Sequence, residues 1–325
     1  MDFNTIFEKF CEKNILIIGD SMIDTYMWGV VNRVSPEAPV PVVEIKKHEN
    51  RLGGAANVAL NLSALGAKPI LCSVIGDDAK GDLFLKLMNQ SKLPTSGIIR
   101  NKERKTTVKT RVIADNKHQL RIDEEETNPI SNSTDFLNLA INLMTNIDAI
   151  IMQDYNKGVL TPLIIKEIIK KANYQNIPII VDPKINNFNC YKNCTIFKPN
   201  LSEIKAGINV DFNANNKDQI KDATTKLRNI LNAKSVLLTL SEKGICTNST
   251  EGFILTPAYK RNIIDVSGAG DTVIAVASLC LASQINYEYL SKLSSLAGGI
   301  VCEDVGVVSV NKKKLLKEAI KLIKN

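Results

Sequence analysis

Asn14-Ile15-Leu16-Ile17-Ile18-Gly19-Asp20 is the stretch whose reading decides the fold. Four branched apolar residues in a row, closed by Gly-Asp, give a strand no polar side on which to meet water. Such runs mark parallel strands covered by helices on both faces. Similar runs recur at 69–75, 149–152, 177–181 and 235–240. Between most of them lie stretches with helical spacing, at 55–65, 80–91, 135–145, 162–173 and 218–231. This alternation predicts an α/β fold with a mostly parallel central sheet and helices on both faces. Ligands bind such sheets outside the carboxyl ends of the strands. The polar residues at those ends are therefore the first functional candidates: Asp20, Asp24, Asp154, Asp182 to Lys184, Asn200 and Glu203.

Two stretches interrupt the alternation. Residues 27–45 hold three prolines and alternating apolar positions (Val40, Val42, Ile45). Residues 106–126 read as two strands, 107–114 and 118–123, joined by the turn chemistry of Ala114-Asp115-Asn116-Lys117. Together they predict a small second β-sheet projecting over the strand ends as a lid. The lid segments are set at about 25–48 and 106–126, within one domain covering 1–325. There is no internal repeat, low-complexity tract or long linker.

Composition narrows the function classes. The net charge of +7 comes from 41 basic and 34 acidic residues that are interspersed. No nucleic-acid stripe forms, and the balance suits a small anionic ligand. Seven cysteines are scattered; Cys190 and Cys194 lack a second Cys/His pair, and His48 and His118 are the only histidines. No structural zinc site is expected, and the thiols read as core fillers of a reducing compartment. The N-terminus lacks a basic, then apolar, leader pattern, and no apolar run reaches the ~18 residues of a membrane span. A cytoplasmic protein without stable membrane insertion is expected. The basic amphipathic stretch 312–324 either docks on a membrane surface or packs on the sheet with its lysines in water.

Several motifs carry chemistry. In Asp265-Val-Ser-Gly-Ala-Gly-Asp-Thr272, two glycines precede a carboxylate and an apolar, helix-forming run, 272–283. It is either a flexible turn with an acidic helix start or an anion hole. In the second case, helix-start N–H groups bind phosphate beside a carboxylate able to deprotonate a hydroxyl. Leu52-Gly-Gly-Ala-Ala-Asn57 is a second glycine cluster at a helix start, and Asn57 offers both a donor and an acceptor. Lys198-Pro-Asn-Leu-Ser-Glu203 is a capping box or a water-mediated Mg²⁺ contact, since Mg²⁺ keeps waters and uses few carboxylates. Leu238-Thr-Leu-Ser-Glu-Lys-Gly244 lines a nucleotide or forms a plain hairpin. A Walker A sequence, a G-x-G-x-x-G fingerprint and a nucleophile-elbow triad are all absent.

Gly53-Gly54 with Asn57, Asn200-x-x-Glu203 and Gly268-Ala-Gly-Asp271, in this order, resemble the ribokinase-like (PfkB) carbohydrate kinases over nearly the whole chain. Arg33-Val-Ser-Pro-Glu-Ala-Pro-Val-Pro-Val42, Gly53 to Ala59, Asp154-Tyr-Asn-Lys-Gly158, Asp182-Pro-Lys184 and Pro199 to Glu203 are similar to the heptose 7-phosphate kinase branch. Ile185 departs from that branch, where glycine is frequent. The resemblance implies a ribokinase-like fold with ATP and Mg²⁺ as cofactors. It makes Asp271 the base for the anomeric hydroxyl and Gly268, Ala269 and Gly270 the anion hole. Asn200, Leu201, Ser202 and Glu203 would serve ATP and Mg²⁺, the latter through water on Glu203, with Thr239, Ser241 and Gly244 beside the nucleotide. Asp24, Gly53, Gly54, Asn57 and Asp154 would hold the sugar. Arg33 and Lys184 are candidates for the substrate's own phosphate, because arginine matches phosphate oxygens bidentately.

The implied reaction phosphorylates the C1 hydroxyl of D-glycero-β-D-manno-heptose 7-phosphate to the 1,7-bisphosphate, on the way to ADP-heptose and lipopolysaccharide. A homodimer is expected. Some members of the branch carry a fused adenylyltransferase; with this chain ending at Asn325, a separate downstream adenylyltransferase is expected as partner. The alternatives are another sugar or nucleoside kinase of the same family, or a non-catalytic sugar-phosphate-binding regulator.

Overall fold

The computed structural model describes residues 2–115 and 117–323, so Asn116 of the expected lid turn and Lys324 lie outside the described residues. The chain runs α1 (Phe3–Cys11), β1 (Asn14–Gly19), β2 (Ser21–Val34), β3 (Pro41–Gly54), α2 (Ala55–Leu65), β4 (Lys68–Gly76), α3 (Ala79–Gln90) and β5 (Ile98–Asn101). It continues through β6 (Val108–Ala114), β7 (Lys117–Glu124), α4 (Ser133–Asn142), β8 (Ala149–Gln153), α5 (Pro162–Tyr174), β9 (Ile179–Asp182) and β10 (Ile196–Phe197). The last third is α6 (Leu201–Gly207), α7 (Lys217–Leu231), β11 (Ser235–Thr239), β12 (Ile245–Ser249), β13 (Gly252–Thr256), α8 (Ala269–Ala282), α9 (Tyr287–Val301) and α10 (Lys312–Leu322).

The main sheet has the order β13-β12-β11-β10-β9-β8-β1-β4-β5. It is parallel from β5 to β11. The hairpin β12–β13 adds an antiparallel edge that the apolar-run pattern does not announce. β1 sits between β4 and β8, and period-two alternation divides its side chains between two cores. Ile15 and Ile17 join the core under α1, α2, α8 and α9, whereas Leu16 and Ile18 join the core under α4, α5 and α7. All four are fully buried, which is why the run carries no polar residue.

The second sheet has the order β3-β2-β6-β7. Its outer pairs are antiparallel, but β2 and β6 run parallel, because the chain passes through β4 and β5 of the main sheet before returning. Only Asp20 separates β1 from β2, and β3 runs directly into α2. The second sheet therefore takes in 21–54, more than the expected 25–48, with the bases of both long strands buried and their far ends exposed. The strands β6 and β7 fall inside the expected 106–126.

α8 is apolar all round, as a helix enclosed by neighbours must be. It packs between α2 and α9 against the sheet. α10 buries Leu315 and Ala319 against the body, touching α1 and α9, so the stretch 312–322 packs as a surface helix of the domain. All seven cysteines are free thiols, five of them buried. Among the described residues, no helix is long and apolar enough to cross a membrane.

Candidate active site

β1 is followed directly by Asp20, whose buried carboxylate accepts three backbone N–H groups, from Tyr155 (2.8 Å), Lys157 (3.0 Å) and Val159 (3.1 Å). Burial and the neighbouring Asp154 push its carboxyl up to about 6 against those bonds. Asp20 thus pins the loop after β8 across the end of the sheet. Asp154 belongs to the same scaffold: it accepts from the Tyr191 hydroxyl (2.6 Å), Asn187 Nδ2 (3.1 Å) and the Asn156 N–H (2.7 Å).

The pinned loop delivers Tyr155 to Asp271, which lies in the first turn of α8 and is 4% exposed. Asp271 Oδ2 accepts from Asn57 Nδ2 at 2.8 Å. Oδ1 accepts from the Tyr155 hydroxyl at 2.7 Å and from Gln153 Nε2 at 3.1 Å. Burial pushes the Asp271 carboxyl up to about 7, the bonds from Asn57 and Tyr155 pull it back, and Asp182 adds to the rise. A carboxyl held there exchanges protons near neutral pH, the range a general base needs. Burial and the Asp271 charge hold the Tyr155 phenol well above its ordinary value, so it remains a donor.

Gln153 Nε2 also donates to Asp182 Oδ2 (3.1 Å), and Asp182 Oδ1 is paired with Lys198 Nζ at 2.9 Å. This pair is buried and lies at the glycine start of α8. A Cβ built on Gly270 would lie 3.8 Å from Lys198 Nζ and 3.9 Å from Asp182 Oδ2. Gly268 has φ +79°, and a Cβ there would crowd Asn57 Nδ2 at 3.1 Å. Helix-start N–H groups, the positive end of the helix dipole and a buried ammonium therefore converge beside Asp271, a combination that binds phosphate.

Close approach also explains the second glycine pair. A Cβ on Gly53 would fall 2.0 Å from Asp24 Oδ2; Gly54, at φ +59°, would meet Asp20 O at 2.6 Å and the Tyr155 ring at 3.5 Å. Asp24 is buried and paired with Arg111 from β6. Asp24, Gly53, Gly54, Asn57 and Asp271 thus meet where the second sheet joins the first. Arg33 does not join them: it is exposed, near the far end of β2 opposite Val42.

At the next strand ends, Asn200 and Glu203 form a full capping box on α6. Glu203 Oε2 accepts from the Asn200 N–H (2.8 Å), and Oε1 is paired with Lys184 Nζ at 2.7 Å. Ser202 Oγ donates to Asn200 Oδ1 at 2.7 Å, and Leu201 opens the helix. Lys184 Nζ lies 5.7 Å from the Tyr155 ring centre, between the two halves of the site. Burial lowers the Lys184 ammonium, but Asp182 and Glu203 outweigh it and raise it. A backbone bond from Thr239 N–H to Pro199 O (3.1 Å) sets the 239–244 turn, with Ser241 and Gly244, beside Asn200. Both Glu203 oxygens are already engaged by this chain, so the residues fit a hydrated Mg²⁺ held through water better than a directly coordinated one.

Gln153 is a functional candidate that no sequence motif marks, and Lys198, Tyr155 and Asp182 lie in motifs that assign them no role of their own. Gln153 and Asp182 are the last residues of β8 and β9, Lys198 directly follows β10 and Tyr155 lies two residues past β8, so position at a strand end is the signal that finds them.

The pfkB family carbohydrate kinase profile matches residues 12–314. The chain belongs to this family. It is similar to the "Bifunctional protein HldE" of Campylobacter fetus subsp. fetus, with 38% identity over 293 residues, 90% of this chain and 63% of that protein. A second "Bifunctional protein HldE", from Desulfatibacillum aliphaticivorans, is 40% identical over 311 residues, again 63% of its length. The chain thus spans less than two thirds of these relatives. Among solved structures, phosphofructokinase-2 from Escherichia coli in complex with potassium superposes with a TM-score of 0.81 at 18% identity, covering 96% of this chain and 100% of that one. The fold of this pfkB-family carbohydrate kinase is accordingly ribokinase-like, with the small second sheet set apart from the large one.

Proposed function

We propose that this pfkB-family kinase transfers the γ-phosphoryl group of ATP to the anomeric hydroxyl of D-glycero-β-D-manno-heptose 7-phosphate. The observation that carries the reaction type is Asp271: a buried carboxylate, held near neutral and flanked by the glycine start of α8 and Lys198. The sugar rests on the likeness of residues 33–42, 53–59, 154–158 and 182–184 to the heptose 7-phosphate branch.

In this reading Asp271 takes the proton of the C1 hydroxyl as its oxygen attacks the γ-phosphorus, and ADP leaves. The three donors around Asp271 fix the carboxylate without a covalent intermediate. The first-turn amides of α8 and the Lys198 ammonium face the charge that spreads over the moving phosphoryl oxygens, which is where this reaction gains most of its rate. Glu203, with Asn200, would hold Mg²⁺ through water. When bound, the ion neutralises phosphate charge. Asp24 and Asn57 would hold sugar hydroxyls, and Gly53 and Gly54 let the sugar approach the backbone. Arg33 and Lys184 are proposed for the sugar's phosphate, Arg33 reaching it as the second sheet closes over the sugar and excludes water.

Asp271→Asn tests the assignment. Turnover should fall by about 10³-fold or more, the scale of losing a general base together with its positioning, while calorimetric affinities for sugar phosphate and MgATP change by less than about threefold. Near-normal turnover in that variant would overturn the role of Asp271.

A further inference from the structure

Asn61 lies one helical turn beyond Asn57 on α2 and is fully buried. Its side-chain amide has every hydrogen-bonding position filled. Nδ2 donates to the Asn57 backbone carbonyl at 2.9 Å and reaches Asn57 Oδ1 at 3.3 Å. Oδ1 accepts from the Thr272 hydroxyl and from the Val310 N–H, each at 3.0 Å. A backbone N–H donates and cannot accept, so Val310 settles which end of the Asn61 amide is oxygen. The NH₂ of Asn61 must then face Asn57, and the atom of Asn57 that meets it is Oδ1. That leaves Asn57 only its own NH₂ to present to Asp271 Oδ2, where it sits at 2.8 Å.

We propose that Asn61 is a positioning residue for phosphoryl transfer: it fixes the amide of Asn57 in the one orientation that donates to the Asp271 carboxylate. The relay draws on three separate parts of the chain, since Thr272 belongs to α8 and Val310 to the segment before α10. An asparagine that served only to cap its own helix would need the bond to the carbonyl four residues back and nothing else. The bonds to Asn57 Oδ1, Thr272 and Val310 are what tie it to the site. Fixing Asn57 also matters for charge. The Asn57 bond is the largest influence lowering the Asp271 carboxyl against burial. If Asn57 swings away or turns its oxygen inward, Asp271 keeps its proton to higher pH.

The inference rests on Asp271 being the base, and the experiment separates the two. Rates of ADP formation are measured from pH 5.5 to 9 for wild type, Asp271→Asn, Asn57→Ala, Asn61→Leu and Asn61→Leu/Asn57→Ala. Substrate ionisations are common to all of them, so differences between profiles belong to the protein. Asn61→Leu is expected to move the acid limb up by about one pH unit, to lower kcat about fivefold at pH 7, and to leave KM for ATP within about twofold. In the Asn57→Ala background the same substitution should move the limb no further. Asn61→Ser, which keeps a hydroxyl for the Val310 N–H, is read in the same way and serves if the leucine does not fold. An unmoved limb, or an equal shift in the Asn57→Ala background, would overturn the positioning role. An active Asp271→Asn would instead overturn the reading beneath it.

Discussion

Asp271→Asn should stabilise the fold while it stops turnover, and the pH dependence of that gain is the sharp part. Folded, the Asp271 carboxyl holds its proton to about pH 7; unfolded, it returns to near 3.8. Between those values the folded state binds the extra proton, so stability falls as pH rises, and the full penalty stands above pH 7. At 1.36 kcal/mol per unit the penalty is about 2 kcal/mol at pH 5 and at most about 4 kcal/mol at pH 8. The amide keeps one oxygen for Asn57, but its NH₂ now faces the NH₂ of Gln153, a loss of about 1–2 kcal/mol that does not change with pH. The difference between the two pH values is free of that loss. Calorimetric unfolding without ligands should show the melting temperature of the variant, relative to wild type, rising by about 5 °C from pH 5 to pH 8. A relative melting temperature that is flat with pH, or that falls, would refute the strained, buried carboxylate.

Lys198→Met should cut kcat by about 10²-fold, as loss of one charge-stabilising donor does, and should also destabilise the fold because Asp182 is left unpaired. Adding Asp182→Asn should recover stability in urea unfolding but not kcat. Glu203→Gln should raise the Mg²⁺ concentration for half-maximal rate about tenfold, with much of the rate returning at saturating Mg²⁺ in an ADP-release titration. Arg33→Ala should raise KM for a sugar phosphate several-fold and leave KM for ATP within about twofold, measured in the same assay.

The elements that a single stretch specifies were legible in the sequence. β1 runs from Asn14 to Gly19 as the apolar run does, because both its faces are buried. α2 spans Ala55–Leu65 because Gly54 and Gly66, at φ +59° and +99°, bracket it. Boundaries that depend on a partner were not. The second sheet begins at Ser21, because β2 leaves the main sheet without a loop and its first residues pair with the end of β3. The hairpin β12–β13 extends an existing edge, and nothing in 245–256 alternates strongly enough to announce it. At the site, the Gly268–Asp271 motif was visible, but its surroundings were not. Asn57, Gln153 and Tyr155 lie 214, 118 and 116 residues from the carboxylate they contact, and only the fold brings them there. The same holds for the pairing of Lys184 with Glu203, which no motif announces.

The most direct test of the central claim is an ADP-release assay of the wild-type protein with MgATP across phosphorylated and free sugars. The account predicts that D-glycero-β-D-manno-heptose 7-phosphate is turned over with kcat/KM at least about 10²-fold above ribose, fructose 6-phosphate or free heptose, with the new phosphate on C1. A clear preference for an unphosphorylated sugar, or no ADP release with any sugar phosphate, would contradict it.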